Sequence, residues 1–264
     1  MTQPASAEAP TRPRRRTPPA LLGAVALAWA MALLTQVTGH ERLLDHDTLI
    51  EGGLPLWAGL GIFLVAWQFM IAAMMLPSSY PLIRLFDTVS ANQPWPARAR
   101  AAFLGGYVAV WTGFGAVAFL GDTIVHWTVD RWGWLAARPW LIAGSTLLLA
   151  GVFQFSPLTD RCLRECRNPG MFLLRHYRRG VGEAYRLGRR HGLFCLGCCW
   201  ALMLVMFAAG VASLWWMATL ATVMFYEKVG RAGDRAVPMV GLLLLALAAL
   251  VFTHPTWLPA VFEA

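Results

Sequence analysis

The stretch WAGLGIFLVAWQFMIAAMML, residues 57–76, decides the fold class. It runs for 20 residues without a charged side chain. A helix of about 20 apolar residues crosses the hydrocarbon core of a bilayer, and a helix satisfies its own backbone hydrogen bonds inside lipid. The stretch therefore predicts a transmembrane helix. Pro77 follows at once and predicts the end of that helix, because proline has no backbone N–H to donate.

The rest of the chain has the same apolar character. Its 264 residues are 58% hydrophobic and 14% charged, whereas a soluble domain carries about 25% charged residues. The mean hydropathy is +0.53. We therefore predict the all-α class and a polytopic transmembrane bundle of about seven spans. The candidate spans lie near residues 20–37, 57–76, 101–121, 140–157, 194–210, 211–227 and 237–253.

The arginines predict the orientation of this bundle. Cytoplasmic loops of membrane proteins carry an excess of Lys and Arg. With a cytoplasmic N-terminus and seven spans, 19 of the 22 cationic residues fall inside, and Arg42, Arg131 and Arg138 fall outside. We therefore predict a cytoplasmic N-terminus, an outer C-terminus and a location in the bacterial inner membrane. The same placement accounts for the net charge of +8, so lipid is an expected partner and nucleic acid is not.

One membrane domain and two short flanks make up the predicted organisation. Residues 1–19 are rich in Pro, Arg and Ala and predict a disordered basic tail. The apolar run that follows is longer than the core of a signal peptide, so we expect a retained first span. The helical domain covers 20–254, with an Arg-rich amphipathic loop expected on the cytoplasmic leaflet at about 159–192. Residues 255–264 form a short C-terminal tail.

The five cysteines are the main chemical signal. Cys162 and Cys166 are four residues apart, so on a helix their thiols share a face. The segment HGLFCLGCCW, residues 191–200, holds the other three before the fifth span. All five are predicted at the cytoplasmic boundary, where the reducing cytosol disfavours disulfides. Metal binding is the leading interpretation, with structural packing and a redox dithiol as alternatives. The candidate ligands are Cys162, Cys166, Cys195, Cys198, Cys199 and His191.

Methionines and two polar side chains extend this candidate site. Met203 and Met206 share a face with Cys195 and Cys199, within an arc of about 80° on an α-helix. Thiols followed by thioethers suit Cu(I), whereas four thiolates suit tetrahedral zinc, and Met is also a common core filler. We favour Cu(I), with Zn²⁺ as the alternative. The predicted soft-ligand relay is Met70, Met74, Met203 and Met206, and the predicted polar supports are Gln154 and Glu227.

Four short motifs resemble a bacterial family of uncharacterised integral membrane proteins for which metal binding is predicted. They are MMLPSSYP at 74–81, FQFSPLTDRCLRECRNP at 153–169, RHGLFCLGCCWALM at 190–203 and EK at 227–228. The resemblance extends over about residues 57–230. It implies a multi-pass membrane protein that binds a metal ion.

Metal handling or delivery is the function that these observations favour. A metal-carrying protein or other membrane subunits would then be partners. The alternative is a membrane scaffold or accessory subunit of a larger complex, with structural cysteines. An enzyme is disfavoured, because the sequence shows no nucleotide-binding loop, no Ser/His/Asp constellation and no paired intramembrane carboxylates.

Overall fold

The computed structural model describes residues 19–39, 49, 54–209 and 213–255, and this part of the chain is helical and contains no strand. The predicted tails, 1–19 and 255–264, lie outside the described residues apart from one residue each. In chain order the helices are α1 (Pro19–Val37), α2 (Leu56–Ser90), α3 (Pro96–Arg131), α4 (Gly133–Ala136), α5 (Pro139–Gln154), α6 (Pro157–Arg167), α7 (Pro169–His176), α8 (Val181–Ala209), α9 (Leu214–Val229) and α10 (Gly233–Thr253).

Five of these helices are long and apolar enough to cross a membrane, namely α1, α2, α3, α8 and α10. A sixth span results if α5 and α6, which are bent by 64° at their junction, are counted as one broken span. The remaining predicted span, 211–227, corresponds to α9. This helix has 16 described residues, or about 24 Å of rise, which is short of a bilayer core of about 30 Å. The all-helical class is confirmed, and seven spans remain a prediction.

The prediction that Pro77 ends a helix is wrong. Helix α2 continues through Pro77 and Pro81 and ends only at Ser90, after 35 residues. The hydroxyl of Ser78 donates a hydrogen bond to the Met75 carbonyl at 3.0 Å. In membrane helices such hydroxyls help to satisfy backbone groups near a proline. The sulfur-bearing residues of α2 therefore sit in the middle of a long helix.

The predicted amphipathic loop at 159–192 consists of α6, α7 and the first turns of α8. Helix α6 begins sharply because Ser156 caps it: the Thr159 N–H donates to Ser156 Oγ at 3.1 Å, and Pro157 occupies the first helical turn. This cap sets the bend after α5. As a result α6 turns back and packs against α8.

Glycines bring α3 and α8 into backbone contact. A methyl group added at Gly106 would overlap the Tyr185 carbonyl, and one added at Gly188 would overlap the Phe103 carbonyl. Membrane helices approach one another most closely at such small residues. Helix α10 packs along α5 in a similar pairing. Helix α8 also packs against α5, α6 and α9, so it has neighbours on several sides within the described bundle.

Apolar side chains face both outward and inward on this bundle. Val65, Val117 and Leu242 expose 62%, 69% and 61% of their surface, as residues on a lipid-facing surface do. The main buried cluster contains the aromatic residues Phe63, Trp67 and Trp111 together with most of the cysteines and methionines discussed below. The sulfur-rich region is therefore part of the protein core.

Candidate metal centre

The three cysteines of α8 are buried, and the thiol of Cys199 interacts with each of the other two. Cys198 Sγ lies 3.4 Å from Cys199 Sγ, and the thiols of Cys195 and Cys199 also interact. Residues 195 and 199 lie one helical turn apart and so share a face. Each of the three is only 1% exposed. The predicted cluster on this helix is therefore a set of adjacent buried sulfurs.

Helix α6 brings the other two cysteines to the same place. Cys162 Sγ lies directly against Gly197, where an added Cβ would stand 2.5 Å from the sulfur. The thiol of Cys166 interacts with that of Cys198. All five cysteines lie in the described residues, and none forms a disulfide. The cysteine pair of α6 and the three cysteines of α8, separated by about 30 positions in the chain, therefore lie together between these two helices.

Lys228 enters this cluster from the last turn of α9. Its Nζ donates to Cys195 Sγ at 3.2 Å and lies 3.5 Å from Ser78 Oγ and 3.7 Å from Met75 Sδ. The residue is 5% exposed. An ammonium group is thus surrounded by a thiol, a thioether and a hydroxyl from α2 and α8.

His191 is linked to the thiols through two hydroxyl groups. Its Nε2 lies 3.2 Å from Ser79 Oγ, Ser79 donates to Tyr107 Oη at 3.2 Å, and Tyr107 Oη lies 3.2 Å from Cys195 Sγ. The imidazole stacks on Tyr107 with ring centroids 5.4 Å apart. Its Nδ1 is buried and has no hydrogen-bond partner among the described residues. The histidine therefore connects to the cluster through a polar chain and keeps one ring nitrogen unused.

The two predicted polar supports meet each other. Gln154 Nε2, at the end of α5, donates to Glu227 Oε1 on α9 at 2.8 Å. The backbone carbonyl of Glu227 accepts from Arg167 Nε at 2.7 Å, and Arg167 also forms an ion pair with Asp234. The segment that carries Lys228 is thereby tied to α5, α6 and α10.

The predicted methionines are all buried. Met203 and Met206 are fully enclosed, Met74 is 1% exposed and Met70 is 7% exposed. They belong to the same buried cluster as Cys162 and the three cysteines of α8. Met75, Met217 and Met224, which the sequence analysis did not single out as ligands, belong to it as well.

Comparison with known protein families shows the family to which the chain belongs. The model of the PpoB2 family, described as copper chaperones, matches residues 64–251. That range is well over half of the chain and contains all five cysteines. The chain belongs to the PpoB2 copper chaperone family. No curated protein and no solved structure matches it.

Membership of the copper chaperone family supports a copper-handling role. The clustered sulfur atoms are of the type that such a role requires. Soft thiolates and thioethers are the ligands that Cu(I) prefers. Among the described residues, no group of three or more His, Cys, Asp or Glu side chains is arranged to hold a metal ion. The thiols instead interact pairwise, from Cys195 through Cys199 and Cys198 to Cys166.

Sequence reasoning missed four residues beside the cysteines: Tyr107 and Lys228, which contact Cys195, and Met75 and Ser78, which contact Lys228. Met75 and Ser78 face Lys228 only because α2 continues as a helix through Pro77. One signal for Lys228 was present in the sequence. It is the only lysine among 22 cationic residues, and it directly follows an apolar stretch.

Proposed function

We propose that the protein is an integral membrane copper chaperone that takes up Cu(I) on its buried cysteine cluster and passes the ion to an acceptor. The observation that carries this proposal is the cluster of interacting thiols from α6 and α8, in which Cys195, Cys198 and Cys199 are buried and Cys166 is half-buried. A copper chaperone needs soft donors that hold its cargo and also release it. A chain of neighbouring sulfurs offers the ion several alternative donor pairs, so that it can move from one pair to the next.

Copper is favoured over zinc as the cargo because of what surrounds the thiols. Zinc is bound in proteins by thiolate, imidazole and carboxylate groups, whereas thioethers are soft donors suited to Cu(I). Met203 and Met206 are enclosed in the same core as the thiols. This sulfur environment matches Cu(I), and it supplies the relay of Met70, Met74, Met203 and Met206 that would conduct the ion away from the cysteines.

The polar residues have supporting roles in this proposal. His191 would be an additional ligand or would hold Tyr107 in place through Ser79, and its unused Nδ1 is the atom available for the first role. Gln154 and Glu227 would fix α9 against α5 through their hydrogen bond. A buried amide and carboxyl pair of this kind satisfies two groups that would be costly to bury alone.

The protein would work in the bacterial inner membrane with seven spans, its N-terminus and cysteine cluster on the cytoplasmic side and its C-terminus outside. The arginine distribution supports this orientation, and the exposed apolar side chains of α2, α3 and α10 support contact with lipid. A metal-carrying protein is the expected partner, because a chaperone must hand its ion to a protein that uses it.

Metal analysis of the purified protein tests the proposal. Protein isolated after growth with copper is expected to hold copper in excess of zinc, and a variant with all five cysteines changed to Ser is expected to hold neither above background. Met239→Leu, a substitution at a side chain that is 68% exposed, is the control for sample handling. Equal and near-zero metal in the wild type and the five-Ser variant would contradict the proposal and favour a scaffold with structural cysteines.

A further inference from the structure

Lys228 is the most unusual group in the core. An isolated ammonium group is costly to bury unless it is paired and hydrogen-bonded. The contacts made by Lys228 Nζ are to a thiol, a thioether and a hydroxyl, and the nearest carboxylate neighbour in sequence, Glu227, has one oxygen occupied by Gln154. The protein thus holds a positive charge against soft sulfur atoms, which are weak hydrogen-bond acceptors.

The residue type at this position is also unusual for the chain. All 21 other cationic residues are Arg. Arg has a broad planar group with five fixed donors, whereas Lys places a compact single charge on a flexible stem of four carbons. A compact charge fits between Cys195 Sγ and Met75 Sδ, and a flexible stem allows that charge to leave. Both properties are those of a group that stands in for a small monovalent cation.

We infer that the Lys228 ammonium occupies the position of Cu(I) in the metal-free protein and competes with it. This inference rests on the proposed Cu(I) function. In the metal-free state the ammonium holds Cys195 of α8 and Met75 of α2 around one point. When Cu(I) binds these sulfurs, the ammonium moves aside and keeps its proton, and each thiol that becomes a ligand releases its proton to solvent. When Lys228 returns, it drives the ion out.

The position of Lys228 at the end of a helix suits this movement. Lys228 lies in the last turn of α9, one residue before the helix ends at Val229. The turn that follows leads to Asp234, whose side chain is 86% exposed. Helix α9 itself stays in place, because Glu227 is held by Gln154 and Arg167. In the proposed exchange the side chain swings toward this end of the helix while the backbone stays fixed.

Neutral substitutions at Lys228 test the competition. Lys228→Leu removes the charge without adding a donor, Lys228→Gln is a second neutral variant, and Lys228→Arg is the control that keeps the charge. Cu(I) affinity is measured by titration against a chromogenic Cu(I) chelator in detergent. Both neutral variants are expected to bind Cu(I) about tenfold more tightly than the wild type, or more, because a competing cation is gone. Equal or weaker binding by well-folded neutral variants would overturn the inference.

A second measurement uses the wild-type protein alone. Because Lys228 is the only lysine, an amine-acylating reagent labels this side chain and the N-terminal amine, and the latter is an internal reference. Peptide mass spectrometry is expected to show several-fold more Lys228 labelling after loading with Cu(I) than before. Labelling that stays the same or falls would overturn the inference even if the variants fail to fold.

The two proposals fail in different ways. If the wild type does not bind Cu(I) at all, the proposed function is wrong and this inference falls with it. If the wild type binds Cu(I), but neutral variants bind no better and Lys228 labelling is unchanged, only the role of Lys228 is wrong. Lys228 would then be a structural cation that holds α9 against α2 and α8.

Discussion

Gly197→Ala is expected to weaken copper binding without touching a sulfur atom. A Cβ at this position would stand 2.5 Å from Cys162 Sγ, whereas ordinary van der Waals contact begins at 3.4 Å. The thiol must therefore move by about 0.9 Å, and metal–ligand distances tolerate only about 0.2 Å. If Cys162 is a ligand, the Cu(I) affinity should fall about tenfold, the scale seen when a group beside a metal ligand is altered. Chelator competition measures this affinity.

The stability of the Gly197→Ala protein should fall only modestly. Overpacking costs about 1–3 kcal/mol, and the helix gains up to about 1 kcal/mol when Gly becomes Ala. The matched control is Gly182→Ala in the same helix, where an added Cβ meets nothing within 4 Å. This control should bind copper as the wild type does. If Gly197→Ala also binds copper as the wild type does, Cys162 is not a ligand and the geometric argument is refuted.

Two further predictions concern the relay and the orientation. The double variant Met203→Leu with Met206→Leu preserves core volume, so it should keep its thermal stability and its cysteine-bound copper. It should release copper to a chelator more slowly than the control variant Met239→Leu does. Release at the control rate would show that these methionines only pack. A phosphatase reporter fused to the C-terminus should be active outside the cell, and a fluorescent reporter there should be dark; the opposite pattern would rule out an outer C-terminus.

The helical elements were predictable because their signal is local. Long apolar runs without charges predict membrane helices, and α1, α2, α3, α8 and α10 follow from such runs. The end of α2 was mispredicted, because a proline removes one hydrogen bond but does not always end a membrane helix. Helix α9 has 16 described residues, fewer than the about 20 that cross a bilayer core. The limits of a helix in lipid depend on its neighbours as well as on its own residues.

The cysteines were predictable as candidate ligands, but their surroundings were not. The spacing of Cys195 and Cys199 fixes their relative direction within one helix. The approach of Cys166 to Cys198 depends instead on the bend after α5 and on the packing of α6 against α8. Lys228 is at the end of an apolar stretch, where lysines usually reach for the membrane surface. Its contact with Cys195 arises only from the tertiary packing of α9.

X-ray absorption at the copper edge of the copper-loaded protein shows whether the cysteines hold the metal ion. The technique identifies the atoms bound to the metal and its oxidation state. We expect Cu(I) with sulfur as its principal ligand, and we expect this sulfur signal to disappear when all five cysteines are changed to Ser. Copper bound mainly by nitrogen or oxygen, or a sulfur signal that persists in the five-Ser variant, would contradict the proposal that the buried cysteine cluster carries the cargo.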